Sequence, residues 1–211
     1  MRRVAIDSRS PAPAAIEEAA AAVLAGEVVA MPTDTLYGLA ADPFSRQAVA
    51  RVFAVKDRAR ERALPLVASD AGQVVDRLGV LPPLARRLAD RFWPGPLTLL
   101  LPAPPALAPE VAGGTGRIGV RVPDHAVARA LCRAAGRPLT ATSANVSGAP
   151  PSADPDEVAR AVGDRIALLL DAGRTRGGPP STIVDATGAR PVLIRAGAIS
   201  WDEVQACVAG A

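Results

Sequence analysis

Three polar segments of this 211-residue chain carry groups suited to holding or activating an anion. In KDRARER (56–62), Lys56, Arg58, Arg60 and Arg62 fall at every second position, so an extended backbone turns them all to one side. Such a row is apt for a triphosphate, which needs several fixed cations. A charged run is by default a solvated face, however. Lys56 weighs against that default, because it is the only Lys among 24 Lys and Arg residues. A chain that uses Arg wherever either cation would serve keeps Lys where a compact ammonium is needed. TDTLYG (33–38) offers two hydroxyls, a carboxylate and the only phenol, that of Tyr37, from one bend. The same letters also suit an ordinary Asp-capped turn. TSANVSG (142–148) offers Thr142, Ser143, Ser147 and the only Asn, Asn145, just after an apolar run. Loops at the carboxyl ends of strands are where open α/β sheets bind ligands. Finally, Arg117, Arg121 and Arg195 lie in or beside strand-like runs. Arg121 alternates with Val120 and Val122, so it faces away from them and requires an anion, either a protein carboxylate or a ligand's.

Several chemistries are excluded. Gly114, Gly116 and Gly119 match the dinucleotide fingerprint, but they precede a strand instead of joining a strand to a helix. No phosphate-binding GxxxxGK[ST] and no nucleophile-elbow GxSxG occur, and His125 has no Ser or Cys motif to serve. Cys132 and Cys207 lie in apolar helical runs and form no CxxC pair, which fits reduced thiols.

The elements that would position these groups alternate between strand and helix. Helices are expected over 14–25, 46–55, 70–78, 83–92, 125–135, 156–162 and from about 200. Strands are expected over 28–31, 65–68, 97–101, 118–122, 138–142, 166–170, 182–185 and 192–195. The pattern predicts a single α/β domain with a twisted mixed sheet flanked by helices. Residues 1–13 read as an N-terminal extension, 14–205 as the domain and 206–211 as a tail. Apolar residues make up 49% of the chain but aromatics only 3%, so the core must be built from Ala, Val, Leu and Ile. The net charge of +3 suits anionic ligands or tRNA. The opening MRRVAIDSRSPAP lacks an apolar targeting run and no segment is long enough to span a bilayer, so a cytoplasmic protein without membrane contact is expected.

PTDTLYGLAADP, the Lys56-x-Arg58 pair, WPGPLTLLL, IGVRVPDH, TATSANVSG, STIVD (181–185) and LIRAGAI (193–199) occur in the order in which they occur in the YrdC/YciO family, which the chain resembles over about residues 14–205. The resemblance implies a sheet bent around a basic cavity. It also implies the chemistry of threonylcarbamoyl-adenylate synthases, in which ATP, L-threonine and bicarbonate, assisted by Mg²⁺, give threonylcarbamoyl-AMP and pyrophosphate. The product would pass to proteins that transfer the threonylcarbamoyl group to adenosine 37 of tRNA, with tRNA contact as a further expectation. By motif position, Thr35, Arg121, Thr142, Ala141, Ser181 and Ser69 would contact threonine, Ser69 standing where some relatives have His. Lys56, Arg58, Arg62, Arg117, Ser143, Asn145, Ser152 and Arg195 would hold ATP, and Lys56 and Arg58 would also supply catalytic charge. Ala59 stands where the family has proline, and the expected form is the short one, without an additional C-terminal domain. Two rival readings are an RNA-binding member without catalysis and the carbamoyl-phosphate chemistry of hydrogenase-maturation proteins.

Overall fold

Local sequence sets the helix ends. The computed structural model describes residues 1–57 and 63–209. Helix α1 (Pro13–Leu24) opens on a proline, whose missing N–H costs nothing in a first turn. Helix α2 (Arg46–Lys56) is capped by the Ser45 side chain, which accepts from the Ala48 N–H, and it ends at Asp57 with φ 49°. Helices α3 (Ala71–Leu78) and α4 (Pro83–Phe92) start at Asp70 and after Pro82, the Asp70 carboxylate accepting from the Gln73 N–H. Helices α5 (Ala126–Ala134), α6 (Pro155–Val162) and α7 (Trp201–Ala209) complete the set among the described residues. None of these helices is long and apolar enough to cross a membrane.

The strands divide between two mixed sheets, where one was expected. The five-stranded sheet is formed by β1 (Arg2–Ala5), β9 (Leu168–Asp171), β2 (Val29–Met31), β3 (Gly38–Ala40) and β8 (Thr142–Ser143), in that order. The six-stranded sheet runs β11 (Val192–Arg195), β10 (Thr182–Asp185), β5 (Leu97–Pro102), β6 (Arg117–Arg121), β4 (Leu66–Val67) and β7 (Leu139–Thr140). The expected strand 138–142 is in fact β7 and β8, one in each sheet. Thr140 makes this switch possible: its Oγ1 accepts from the Ala41 N–H at 2.9 Å and donates to the Leu39 carbonyl at 2.9 Å, supplying bonds a regular ladder would have made. β3 was not foreseen, since Gly-Leu-Ala has no strand signature and is fixed by pairing with β2 and β8. Residues 2–5, within the segment read as an extension, pair in parallel with β9, and residues 206–209 of the tail are the last turn of α7.

Packing follows the composition. One cluster, centred on Leu39, Leu66, Leu88, Leu97, Leu99 and Ile118, fills the space between the sheets, α2 and α4. A second, formed by Ala19, Val23, Val127, Leu131, Leu139 and Leu170, packs α1 against α5 and seats α1 on the five-stranded sheet and α5 on β4 of the six-stranded one. Where the chain crosses between sheets at Ala141, the core opens into a cavity.

Candidate active site in the crevice between the sheets

The cavity encloses about 490 Å³. It is lined by the TDTLYG bend, by Thr98 and Leu100 of β5, Gly119 and Arg121 of β6, Ala141 to Ser143, Ser181, and Arg195 of β11. Its floor is an ion pair. Arg121 is only 8% exposed, and its Nη1 donates to Asp34 Oδ1 at 2.7 Å. Burial drags the Arg121 pKa down while Asp34 pulls it back up. A guanidinium has five N–H donors, and Asp34 is the only acceptor found for them among the described residues. Arg121 also lines the cavity. A carboxylate or phosphate is what such a half-spent guanidinium can bind.

Arg195 supplies a second cation on the same wall. Its Nη2 donates to the Ser181 carbonyl at 2.7 Å and to Ser181 Oγ at 3.3 Å. Desolvation lowers its pKa first, and the like charge of Arg121 lowers it further. Two guanidiniums that repel each other across an open space mark a site tuned for an anion.

Hydroxyls ring the remainder. In the bend, Thr33 Oγ1 donates to the Leu36 carbonyl at 2.7 Å, accepts from the Thr35 N–H at 3.2 Å, and lies 3.2 Å from Thr35 Oγ1. The bend is therefore held by Thr33, while Asp34 is turned to Arg121 and does not cap its own backbone. Tyr37 is fully buried; its phenol donates to the Gly173 carbonyl at 2.7 Å and accepts from the Ala172 N–H at 3.1 Å. Burial pushes its pKa up to about 12, so it ties down the 172–180 segment and has no acid–base role near neutrality. That segment is also pinned to Thr35, whose carbonyl accepts from Thr175 Oγ1 at 2.7 Å and from the Gly177 N–H at 2.9 Å.

Lys56 departs from its expected exposed loop. It is the last residue of α2, 3% exposed. Its Nζ donates to the Ser143 carbonyl at 2.5 Å, the Asn145 carbonyl at 2.9 Å and Asn145 Oδ1 at 3.1 Å. Asn145 Nδ2 continues to the Val146 and Ala149 carbonyls. The only Lys and the only Asn thus act as one knot holding the 143–149 loop, a job for which several converging carbonyls want a compact three-donor cation.

Other expected site residues divide. Thr35, Arg121, Ala141, Thr142, Ser143, Ser181 and Arg195 line the cavity together. Ser69 does not: its hydroxyl donates to the Asp70 carboxylate at 2.9 Å at the start of α3. Arg117, at the far end of β6, is ion-paired with Asp185. Ser152 donates to Glu157, and its Oγ accepts from the Asp154 N–H. Asn145 stands behind the wall. Arg58 and Arg62 lie outside the described residues. His125, read from sequence as a helix-start residue, is the N-cap residue of α5 without a side-chain cap bond, and burial lowers its pKa.

Two residues were missed. Thr98 is a single hydroxyl in an otherwise apolar strand, a signal that was available. Gly197 lies within the LIRAGAI motif, but nothing in its local sequence marks the close approach it permits. A Cβ there would sit 2.3 Å from the Pro180 carbonyl oxygen, 2.5 Å from Thr182 N and 2.6 Å from the Ser181 carbonyl carbon. All three are backbone atoms, so no side-chain rotation relieves the clash. Gly197→Ala is expected to displace Ser181 and destabilise the fold by about 2 kcal/mol, read as a melting temperature lowered by roughly 4–8 °C.

Comparison with known proteins extends over nearly the whole chain. The Sua5/YciO/YrdC family model, described as telomere recombination, matches residues 21–197. A Bacillus subtilis protein named threonylcarbamoyl-AMP synthase is 40% identical over 194 residues, which cover 92% of this chain and 56% of that protein. A Marinobacter nauticus protein of the same name is 41% identical, over 85% of this chain and 95% of its own length. The crystal structure of Pyrococcus abyssi Sua5 complexed with L-threonine superposes with a TM-score of 0.93 at 35% identity, covering 99% of this chain and 61% of that one. The chain therefore spans little more than half the length of some relatives and nearly all of another.

Proposed function

The chain belongs to the Sua5/YciO/YrdC family, and we propose that it is a threonylcarbamoyl-AMP synthase, condensing L-threonine, bicarbonate and ATP and releasing pyrophosphate. The observation that carries this reading is the buried Arg121, anchored on one side by Asp34 and turned on the other toward a cavity with a second cation and a ring of hydroxyls. Arg121 holds the threonine carboxylate. Thr35, Thr142 and Ser181 surround the rest of the amino acid. Arg195 and the 143–149 loop, held by Lys56, take the phosphates.

In this reaction the threonine amine adds to CO₂ derived from bicarbonate and loses a proton. The carbamate oxygen then attacks the α-phosphorus, and the bond to pyrophosphate breaks. Two anions must meet, so the site has to cancel charge and align the attack more than it has to move protons. A cavity of cations and hydroxyls meets that need. We propose that Mg²⁺ accompanies the nucleotide. Mg²⁺ prefers hard oxygen ligands and keeps several waters, so it would be carried by the phosphate oxygens and water. The product is handed to tRNA-modifying proteins in the cytoplasm.

Purified protein with ATP, Mg²⁺, bicarbonate and L-threonine is expected to release pyrophosphate only when all are present. Release that is the same without threonine would sink the proposal. RNA binding that weakens steeply with salt and ignores threonine would favour the non-catalytic reading instead.

A further inference from the structure

Thr98 sits beneath Ser181 in the cavity wall, and the two hydroxyl oxygens are 2.8 Å apart. A hydroxyl has one proton to give and two lone pairs to fill. One lone pair of Ser181 Oγ receives the Arg195 Nη2–H at 3.3 Å. Between Thr98 and Ser181, one oxygen donates to the other. Both residues line the cavity, but Thr98 is only 4% exposed whereas Ser181 is half-buried, so if Ser181 donated, the more deeply buried Thr98 proton would be left with no acceptor among the described residues. Buried polar hydrogens are seldom left so. Thr98 therefore donates to Ser181, both Ser181 lone pairs are filled, and the Ser181 O–H is left to donate into the cavity.

The Thr98 rotamer is itself set. A Cβ built on Gly119, on the neighbouring strand β6, would lie 3.0 Å from Thr98 Cγ2. The missing side chain of Gly119 is the room into which the Thr98 methyl fits, and a β-branched residue has few χ1 alternatives. Gly119 places the methyl, the methyl places Oγ1, and Oγ1 orients Ser181.

We propose that Thr98 is a positioning residue that makes Ser181 an obligate donor to the carboxylate of the bound amino acid, alongside Arg121. The proposal rests on the reading of the cavity as a threonine site, and the test separates the two. L-Threonine and, separately, an ATP analogue are titrated calorimetrically into the full chain. Thr98→Val keeps the shape and removes the hydroxyl; it should weaken threonine about fivefold to tenfold, the worth of one oriented hydrogen bond, and leave the nucleotide Kd unchanged. Thr98→Ser, which keeps the hydroxyl but lacks the methyl that places it, should recover part of the loss. 1-Amino-2-propanol, which lacks the carboxyl group altogether and so offers Ser181 no acceptor there, should bind wild type and Thr98→Val equally. Equal threonine affinity for wild type and Thr98→Val, or an equal weakening of 1-amino-2-propanol, overturns the proposal. A loss of both ligands together, or a loss that Thr98→Ser does not restore, marks Thr98 as merely structural and also overturns it. If wild type binds no threonine, the functional reading falls and this inference falls with it.

Discussion

Lys56→Met should lower the melting temperature as well as abolish pyrophosphate release. A solvated lysine would change stability by no more than about 0.5 kcal/mol. Lys56 is 3% exposed, and its ammonium joins the carbonyls of Ser143 and Asn145 to Asn145 Oδ1. Methionine fills the volume of the stem but strands these oxygens without donors. A buried acceptor left without its donor costs about 1–3 kcal/mol, so three such oxygens together cost about 3–5 kcal/mol, which at this chain length is a fall of roughly 6–20 °C. The 143–149 loop carries Ser143, so turnover should drop at least about 100-fold, a loss of about 3 kcal/mol of transition-state stabilisation. Lys56→Arg should not rescue either quantity, because a planar guanidinium cannot gather three converging oxygens as an ammonium does. A variant that melts like wild type yet is inactive would return Lys56 to the role of an open phosphate-contacting charge.

Arg121→Gln should reduce kcat/KM for threonine by about 10²- to 10³-fold, the penalty for truncating one member of a buried charge pair at a binding site. Two losses are superimposed. The substrate carboxylate loses its clamp, and Asp34, 8% exposed, loses its countercharge. The double variant Asp34→Asn/Arg121→Gln separates them. It removes the stranded carboxylate, so thermal stability should return toward wild type, whereas threonine affinity should stay low. Recovery of affinity in the double variant would show that Arg121 serves only Asp34. Arg121→Lys should recover little, since a single ammonium cannot serve Asp34 and a substrate carboxylate with two differently directed sets of donors.

These two residues show how far the chain could be read before its structure. The alternation of Arg121 with Val120 and Val122 placed the guanidinium on the face opposite the core, and the structure has it there. What alternation left open was the anion, protein or ligand. Tertiary structure supplies the protein anion: Asp34, 87 positions away, takes one donor, while Arg121 also lines a cavity with room for a second anion. The only Lys and the only Asn were conspicuous because the composition favours Arg so heavily. That they belong to each other came only from folding, when the end of α2 met the loop after β8.

Elements with strong local signals were legible in sequence alone. The helices were, because caps and the 3.6-residue period are local, and so were the long apolar strands. Also legible was the family, because seven motifs in a fixed order carry more information than any one of them. The division into two sheets was not, since it hangs on Thr140 replacing ladder bonds with its side chain. Nor was β3, three residues whose only reason to be a strand is the partner on each side. The site sits where those non-local choices are made. Sequence determined which residues have the chemistry for an anion site; the crossing between the sheets decided which of them face one cavity. Ser69, Arg117 and Ser152 are held elsewhere by nearer partners, and Thr98, a lone hydroxyl in an apolar strand, is brought beneath Ser181 by the pairing of β5 with β10. Side-chain chemistry is a property of each residue, whereas convergence depends on contacts between residues far apart in the chain, and only the packed fold specifies those.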